Sequence, residues 1–305
     1  LSANLKGSIL WFKKRQMSEF GLIQSLIEVD FWGSAGNETV SNSHNIRLRH
    51  AYVKISHFTF GQSNSLFMGK GGADTVVGGV DTVLVRQPLM AYHTMLGAIQ
   101  MGMALESAES TVSSNQKKVS FNDDRRADFT FTLGYKKPDH EIALALLNRE
   151  LRANQAESNQ SFSQNATALH LSGKVKLFTQ DSLRFSLVSG SGIGRYIALN
   201  YYTSGLLHND SSFALRHIQA YHLAYQHFWT TKLRSSLLYS RIDVESFDED
   251  SITLAKRSNS LHLNLRYSPF KNALFSIEFV KGENTAIDET HTKRSRLYVS
   301  SVYNF

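Results

Sequence analysis

The chain of 305 residues contains no cysteine, only 3 prolines and no apolar run close to the roughly 20 residues a membrane helix requires. Without cysteine there is no disulfide framework and no thiolate to serve as nucleophile or zinc ligand. So few prolines suit a chain made mostly of laddered strands, because proline cannot donate to a ladder. The missing helix-length run excludes helical membrane spans but leaves β-strand spans open. A barrel strand needs only about 9–11 residues, half of them apolar, and a mean hydropathy of -0.26 is blind to it. There is also no Gly-rich phosphate loop, no G-x-S-x-G and no H-E-x-x-H. The chain is therefore read as a non-enzyme with no catalytic residue, no metal and no cofactor.

The histidines are dispersed. His217, His222 and His227 recur every five residues, which on a strand sends neighbours to opposite faces and keeps them from one metal. Asp210 and Ser211 beside His208 read as ordinary loop residues. The net charge is +7 with a pI near 9.4, but the Lys and Arg are scattered, so nucleic acid is not the expected partner. A basic lumen that attracts anions accounts for the charge better.

What the chain does have is period-two alternation from end to end. Ile23, Ser25, Ile27, Val29 and Phe31 alternate with Gln24, Leu26, Glu28 and Asp30. The same pattern runs through Phe129–Tyr135, Leu169–Leu177, Leu261–Tyr267 and Phe275–Phe279. Aromatic residues sit at strand ends on the apolar face: Phe31, Tyr135, Tyr225, Tyr267, Tyr303 and Phe305. The last segment, V-S-S-V-Y-N-F, is an amphipathic strand closing on Phe305, as outer-membrane barrels end. The fold class read from this is all-β, a transmembrane antiparallel barrel occupying 1–305 as a single unit. Strands are expected near 4–13, 19–32, 45–56, 58–66, 84–93, 95–107, 127–136, 140–150, 166–178, 182–195, 213–227, 231–242, 258–268, 273–281 and 293–305. Short turns (56–57, 137–139, 269–272) alternate with long polar loops (33–44, 108–126, 151–165, 196–212, 243–257, 282–292), as periplasmic and extracellular connections do. The fifteen segments are odd in number, whereas bacterial single-chain barrels are even. Sixteen strands are therefore expected in the intact protein, one preceding Leu1, or fourteen if one segment has been split.

Two stretches carry the functional reading. In 45–54, Ile46, Leu48 and Tyr52 are expected to face lipid, which turns Arg47 and Arg49 into the lumen about 7 Å apart. A guanidinium on the lipid face would cost several kcal/mol. The two arginines can pair with Glu28 and Asp30 on the preceding strand, form a ladder that guides anions, or do both. The segment 67–83 holds Gly69, Gly71, Gly72, Gly78 and Gly79, with Lys70, Asp74 and Asp81 among its few charges. Compact and apolar at Val76, Val77 and Val80, it reads as a constriction loop folded into the barrel. Further inward candidates are Lys174, Lys176, Arg184, Arg234, Arg266 and Arg296, opposed by Glu106, Asp128 and Glu278.

Ile27–Gly33, then R-L-R-H-A-Y at 47–52, F-G-Q-S at 60–63 and V-R-Q-P at 85–88 resemble the DcaP-like porins in order and spacing. The specific part of the resemblance covers about 19–93. It implies a sixteen-stranded, trimeric, passive channel of the Gram-negative outer membrane, favouring small anions and dicarboxylates in particular. It implies an arginine-rich constriction, here at Arg47, Arg49 and Arg86. Where the family places a further basic residue after R-Q-P, this chain has Leu89, Met90 and Ala91. The family's N-terminal helical extension is not found in this sequence. Implied partners are outer-membrane lipid (lipopolysaccharide and phospholipid) and small anionic solutes, within a homotrimer. The rivals are an outer-membrane enzyme on a smaller barrel, a plugged structural or adhesive barrel, and a soluble β-sandwich.

Overall fold

The computed structural model describes all residues except 1, 2, 38, 40–42, 115, 116, 122–124, 156–159 and 209–211, and the backbone alone of 110, 117–121, 154, 155 and 160. No described helix is long and apolar enough to cross a membrane. Among the described residues nineteen strands form instead. The first six are β1 Leu10–Ser18, β2 Gly21–Asp30, β3 Arg47–Ile55, β4 Phe58–Asn64, β5 Arg86–Leu96 and β6 Ile99–Glu106. A hairpin follows, β7 Ser110–Ser114 and β8 Lys117–Phe121. Then come β9 Asp128–Lys136, β10 His140–Gln155, β11 Gln160–Leu177 and β12 Asp181–Ser191. Two short pieces are β13 Gly205–Leu207 and β14 Phe213–Leu215. The chain ends with β15 His217–Phe228, β16 Leu233–Val244, β17 Ala255–Tyr267, β18 Ala273–Ala286 and β19 His291–Tyr303.

Fifteen of these make one antiparallel sheet in the order β1-β2-β3-β4-β5-β6-β9-β10-β11-β12-β15-β16-β17-β18-β19. Neighbours in the sheet follow one another along the chain, except that β7 and β8 intervene between β6 and β9, and β13 and β14 between β12 and β15. Beyond the barrel rim β14, β13, β7 and β8 form a second, four-stranded sheet. It packs on the long upper ends of β10 and β11 through Val112, Leu151, Ala153, Ala166, Leu207 and Phe213.

The barrel is inside-out relative to a soluble sheet. The outward residues Leu144, Leu169, Leu187, Leu223, Leu237, Leu263 and Phe279 are solvent-exposed hydrophobics in the isolated chain, and Tyr135, Tyr225, Tyr267, Tyr303 and Phe305 are exposed at strand ends on the same face. The alternate residues are buried and polar: Thr130, Arg149, His170, Ser186, Ser240, His262 and Glu278. This is the surface a bilayer requires, with hydrocarbon outside and hydrogen-bonding groups within.

Five expectations are corrected. The stretches 151–165 and 282–292, expected as long loops, are largely strand: β10 runs to Gln155, β11 starts at Gln160, β18 runs to Ala286 and β19 starts at His291. The first strand begins at Leu10, not residue 4, and ends at Ser18, because Ser18 and Gly21 pair across a tight turn in which Gly21 has a φ of 93°. Tyr52 does not face lipid: the register shifts between Glu28 and Val29, which pair with His50 and Leu48. Arg49 is the extra residue of that bulge, so both Arg49 and His50 turn inward and every later residue of β3 changes face. The loop at 108–126 is not simply polar but carries the hairpin β7–β8. The loop at 196–212 folds back into the barrel, and its 3-10 turns bury Tyr196 and Ile197.

Candidate functional site: the channel lumen

The segment between β4 and β5, residues 65–85, enters the lumen and runs along one wall. Its contacts follow that wall strand by strand. Leu66 N donates to Glu106 on β6 (2.9 Å), and Lys70 N to Ser172 on β11 (2.9 Å). Arg184 on β12 donates to the carbonyl of Gly72. The Asp74 carboxylate receives Gln226 of β15 (2.7 Å), Arg234 of β16 (2.7 Å) and Arg266 of β17, while Asn264 holds its carbonyl (2.7 Å). Val76 N donates to Glu278 of β18 at 2.6 Å and Val80 N to Ser240 at 2.9 Å. Asp81 meets His222 Nδ1 at 2.6 Å. Glycine is needed where the backbone presses on β11. A Cβ at Gly69 would stand 2.5 Å from His170 Cε1, and one at Gly71, whose φ is 67°, 2.7 Å from the backbone of Gly173. Desolvation would raise the pKa of Asp74, but the Arg234 hydrogen bond and the charges of Arg266 and Arg234 outweigh it and hold it below 3.8.

A second inward segment, 192–204, covers the upper part of the same wall. Leu84 N donates to the Tyr196 carbonyl (3.1 Å) and Ala198 N to that of Thr82 (2.8 Å), joining the two segments. Three successive residues, Ala198, Leu199 and Asn200, hold φ of 49°, 54° and 62°. Such left-handed residues cost about 1–2 kcal/mol each. Burial of Phe67, Tyr196, Ile197 and Tyr202 against Leu147, Val188, Ile218 and Ile242 offsets it, at about 1.5–3 kcal/mol per large apolar side chain. Beneath this plug lies a charged network. Tyr196 donates its hydroxyl to Asp128 (2.7 Å), and Arg149 Nε lies 3.3 Å from the other Asp128 oxygen, both residues fully buried. That contact is an ion pair by distance without hydrogen-bond alignment. Arg149 also donates to the carbonyls of Glu109 (2.7 Å) and Gly192 (3.3 Å). Burial, then the charges of Asp128 and Glu106, push the Tyr196 phenol well above its usual pKa.

The two ends of the sheet, β1 to β4 with the start of β5, and β19, carry the inward charges that these segments leave uncovered. By cross-strand pairing their lumenal residues include Lys13 and Arg15 on β1, Glu28 and Asp30 on β2, Arg47, Arg49 and Lys54 on β3, and Arg294 and Arg296 on β19. Both carboxylates are engaged. Asp30 takes Arg47 through two bonds (3.0 and 2.6 Å) and Arg49 at 3.0 Å, and Glu28 takes Arg49 at 2.6 Å. Arg86, the first residue of β5, lies within electrostatic reach of both arginines and of both carboxylates. Its Nε has no hydrogen-bond partner, and among the described residues it makes no ion pair. Lys70 on the loop is exposed and, among the described residues, also makes no ion pair.

The structure thus brings Glu28, Asp30, Arg47, Arg49 and Arg86 together and leaves Arg296 exposed on β19. It separates Arg266, which is sequestered with Asp74 on the filled wall. Leu89 and Ala91, which follow R-Q-P, are buried with Ala104 under Leu66 and support the loop's base. Lys13, Arg15, Lys54 and Arg294 escaped the sequence reading. Lys54 lies beyond the bulge, where simple alternation no longer assigns a face. His208 stands 3.3 Å from Glu249, while Asp210 and Ser211 lie outside the described residues. Among the described residues no cluster of His, Asp and Glu could hold a metal ion.

The sequence profile of the DcaP outer membrane protein family matches residues 14–305. Among solved structures, the outer membrane channel DcaP of Acinetobacter baumannii is similar with a TM-score of 0.82 at 18% identity, over 98% of this chain and 85% of that one. An anion-selective porin from Comamonas acidovorans has a TM-score of 0.62 at 12% identity, over 99% and 86% of the two chains. The trimer form of OmpT of Vibrio cholerae has 0.61 at 10% identity, over 97% and 90%. At these identities the structures speak for the fold. No curated protein sequence matches the chain.

Proposed function

Since the chain belongs to the DcaP outer membrane protein family, an outer-membrane β-barrel channel of Gram-negative bacteria, we propose that it is a passive diffusion channel for small anions, dicarboxylates among them. The observation that carries this reading is the division of charge. The loop's two carboxylates, Asp74 and Asp81, are spent on the filled wall, while Lys70 is left exposed. At the two ends of the sheet Glu28 and Asp30 are already shared by Arg47 and Arg49, so Lys13, Arg15, Lys54, Arg86, Arg294 and Arg296 set the sign of the field. Solutes pass between the loop and these sheet ends, which makes 67–83 the constriction. Field lines concentrate in such a low-dielectric slot, so fixed cations there raise the local concentration of anions. Arg47, Arg49 and Arg86 offer several guanidiniums side by side, which suits a solute with two carboxylates. The channel does no bond chemistry. It works as a homotrimer, as the trimer form of the similar OmpT encourages, in contact with lipopolysaccharide and phospholipid along its apolar belt.

The test is a planar-bilayer recording of the purified protein across a potassium chloride gradient, with liposome swelling in succinate against a neutral diol of the same length. The expected results are a reversal potential on the chloride side and faster swelling in the diacid. A reversal potential at zero or on the potassium side would remove the anion preference.

A further inference from the structure

A pocket of about 550 Å³ opens between the two inward segments. That volume is in the range of sites for small organic molecules, well above what one water or ion fills. Val77, Val80 and Leu84 of the loop form one side, and Leu199, Tyr201 and Tyr202 of the second segment the other. Ile242 of β16, Ser258 of β17 and Asn284 of β18 make the floor, paired in one cross-strand row. This row lies near the long-loop ends of its strands, whereas Arg234 and Arg266, which hold Asp74, lie at the short-turn ends. The two sides are tied together by the bond from Ala198 N to the Thr82 carbonyl (2.8 Å) and by the Val83–Ile197 bridge. None of the described lining residues is charged.

Two features mark this pocket as more than a packing gap. The first is the left-handed run Ala198–Asn200, since strained backbone gathers at ligand sites. The run does not bury what it carries. Leu199 and Tyr201 are 67% and 62% exposed, while Tyr196, Ile197 and Tyr202 beside them are buried. The Tyr201 ring stands edge-on to Tyr202, with centroids 4.9 Å apart. Two large apolar side chains are thus held bare at the pocket. The second feature is a cation without a partner. Arg294 of β19 pairs with Gly282, two residues from Asn284, and the register turns it inward. Strand spacing and rise put its Cα about 8 Å from that of Asn284, within reach of an extended arginine. Arg294 is exposed, and among the described residues it makes no ion pair. The loop and floor offer no free carboxylate to compete for it. Glu278 is held by the amides of Val76 and Val77 and by His262, and Asp81 by His222.

We propose that this pocket is a binding site for an aromatic monocarboxylate, its ring between Val77, Val80 and Leu199 against the Tyr201 ring and its carboxylate directed at Arg294. The edge and face of a tyrosine suit a second ring, and one carboxylate suits one guanidinium. A sugar or a short dicarboxylate would turn polar groups onto Val77, Val80 and Leu84, where nothing pairs them. The proposal rests on the channel reading above, because the pocket borders the route that solutes take. It names a different solute, held on a different side of the lumen from Arg47, Arg49 and Arg86.

The test is block of the single-channel current of the full chain in planar bilayers, with probes added on the long-loop side. The probes are phenylacetate, acetate, which lacks the ring, and phenethyl alcohol, which lacks the charge. Phenylacetate is expected to block the wild type at a concentration about tenfold below that of either other probe. The double variant Leu199→Asn with Tyr201→Ser removes the apolar mouth, and asparagine tolerates the left-handed backbone at 199. It should raise the blocking concentration of phenylacetate about tenfold. Block by acetate and the reversal potential in potassium chloride should not change. Arg294→Gln should weaken block by phenylacetate but not by phenethyl alcohol. A wild type blocked equally by phenylacetate and acetate, or equally by the acid and the alcohol, overturns the proposal whether or not a variant folds. So does a double variant blocked like the wild type. A reversal potential at zero with this pattern of block intact would remove the anion preference of the channel and still support the site.

Discussion

The two walls of this lumen solve opposite problems. The wall from β9 to β18 is largely covered. Two inward segments cover it, and its buried charges, from Arg149 and Asp128 to Glu278 and His262, have partners. At the two ends of the sheet, β19 and β1 to β5, the cations stay partly or fully exposed. A buried charge must be neutralised locally, so the filled wall has little field to offer a passing ion. A half-exposed guanidinium keeps part of its field, so on the proposed reading it is the exposed side that sets selectivity. Inward-facing arginine alone is therefore a poor marker of selectivity: Arg266 and Arg296 both point inward, yet Arg266 neutralises the loop tip while Arg296 stays exposed.

The sharpest way to break the contrast is to open the filled wall. Arg149→Ala strands Asp128 beneath the plug, and loss of one partner of a buried pair costs about 3–5 kcal/mol. It should lower the unfolding temperature seen by heat-modified electrophoretic mobility, whereas Lys54→Ala on the exposed side should not. Next in size is Asp74→Ala, which frees the loop tip from Arg234 and Arg266. Single-channel recordings should show larger, noisier conductance and stronger anion preference, because two guanidiniums are exposed.

The same tether has a pH signature. The Asp74 pKa is depressed by its partners below 3.8, so its stabilisation is present above that value and is lost only as pH falls through the lower, folded one. Quiet conductance at pH 4 with noise appearing under stronger acid is expected; noise that sets in near pH 5 would contradict the tether. Lys70→Glu reverses one exposed charge and should move the reversal potential measurably toward cations. Smallest of all is Arg266→Gln. Asp74 keeps Arg234 and Gln226, so the reversal potential should shift less than in Arg49→Gln.

Much of the barrel was legible in the sequence because a membrane strand writes its two environments into alternate residues. Fifteen barrel strands were readable, and the Gly-rich stretch 67–83 stood out by its composition. What escaped reading depends on contacts distant in sequence. The bulge at Arg49 has no local signal, since R-L-R-H alternates acceptably until the pairing with β2 shifts. The left-handed run Ala198–Asn200 is imposed by Thr82 and Val83 on another loop. The hydrophobic residues Tyr196, Ile197 and Leu199 in a loop read as polar were the one hint of that fold-back. At the candidate site, Arg47 and Arg49 with Glu28 and Asp30 were found by alternation and proximity. Which inward cations keep their field was not, because that depends on where Asp74 and Asp81 land.

The most direct test is the reversal potential of Arg47→Ala with Arg49→Ala in a salt gradient, at neutral pH and unchanged conductance noise. Removing both guanidiniums uncovers Glu28 and Asp30, so the potential is expected to swing from the chloride side toward the potassium side. A double variant with the wild-type permeability ratio would contradict the claim that the exposed side sets selectivity.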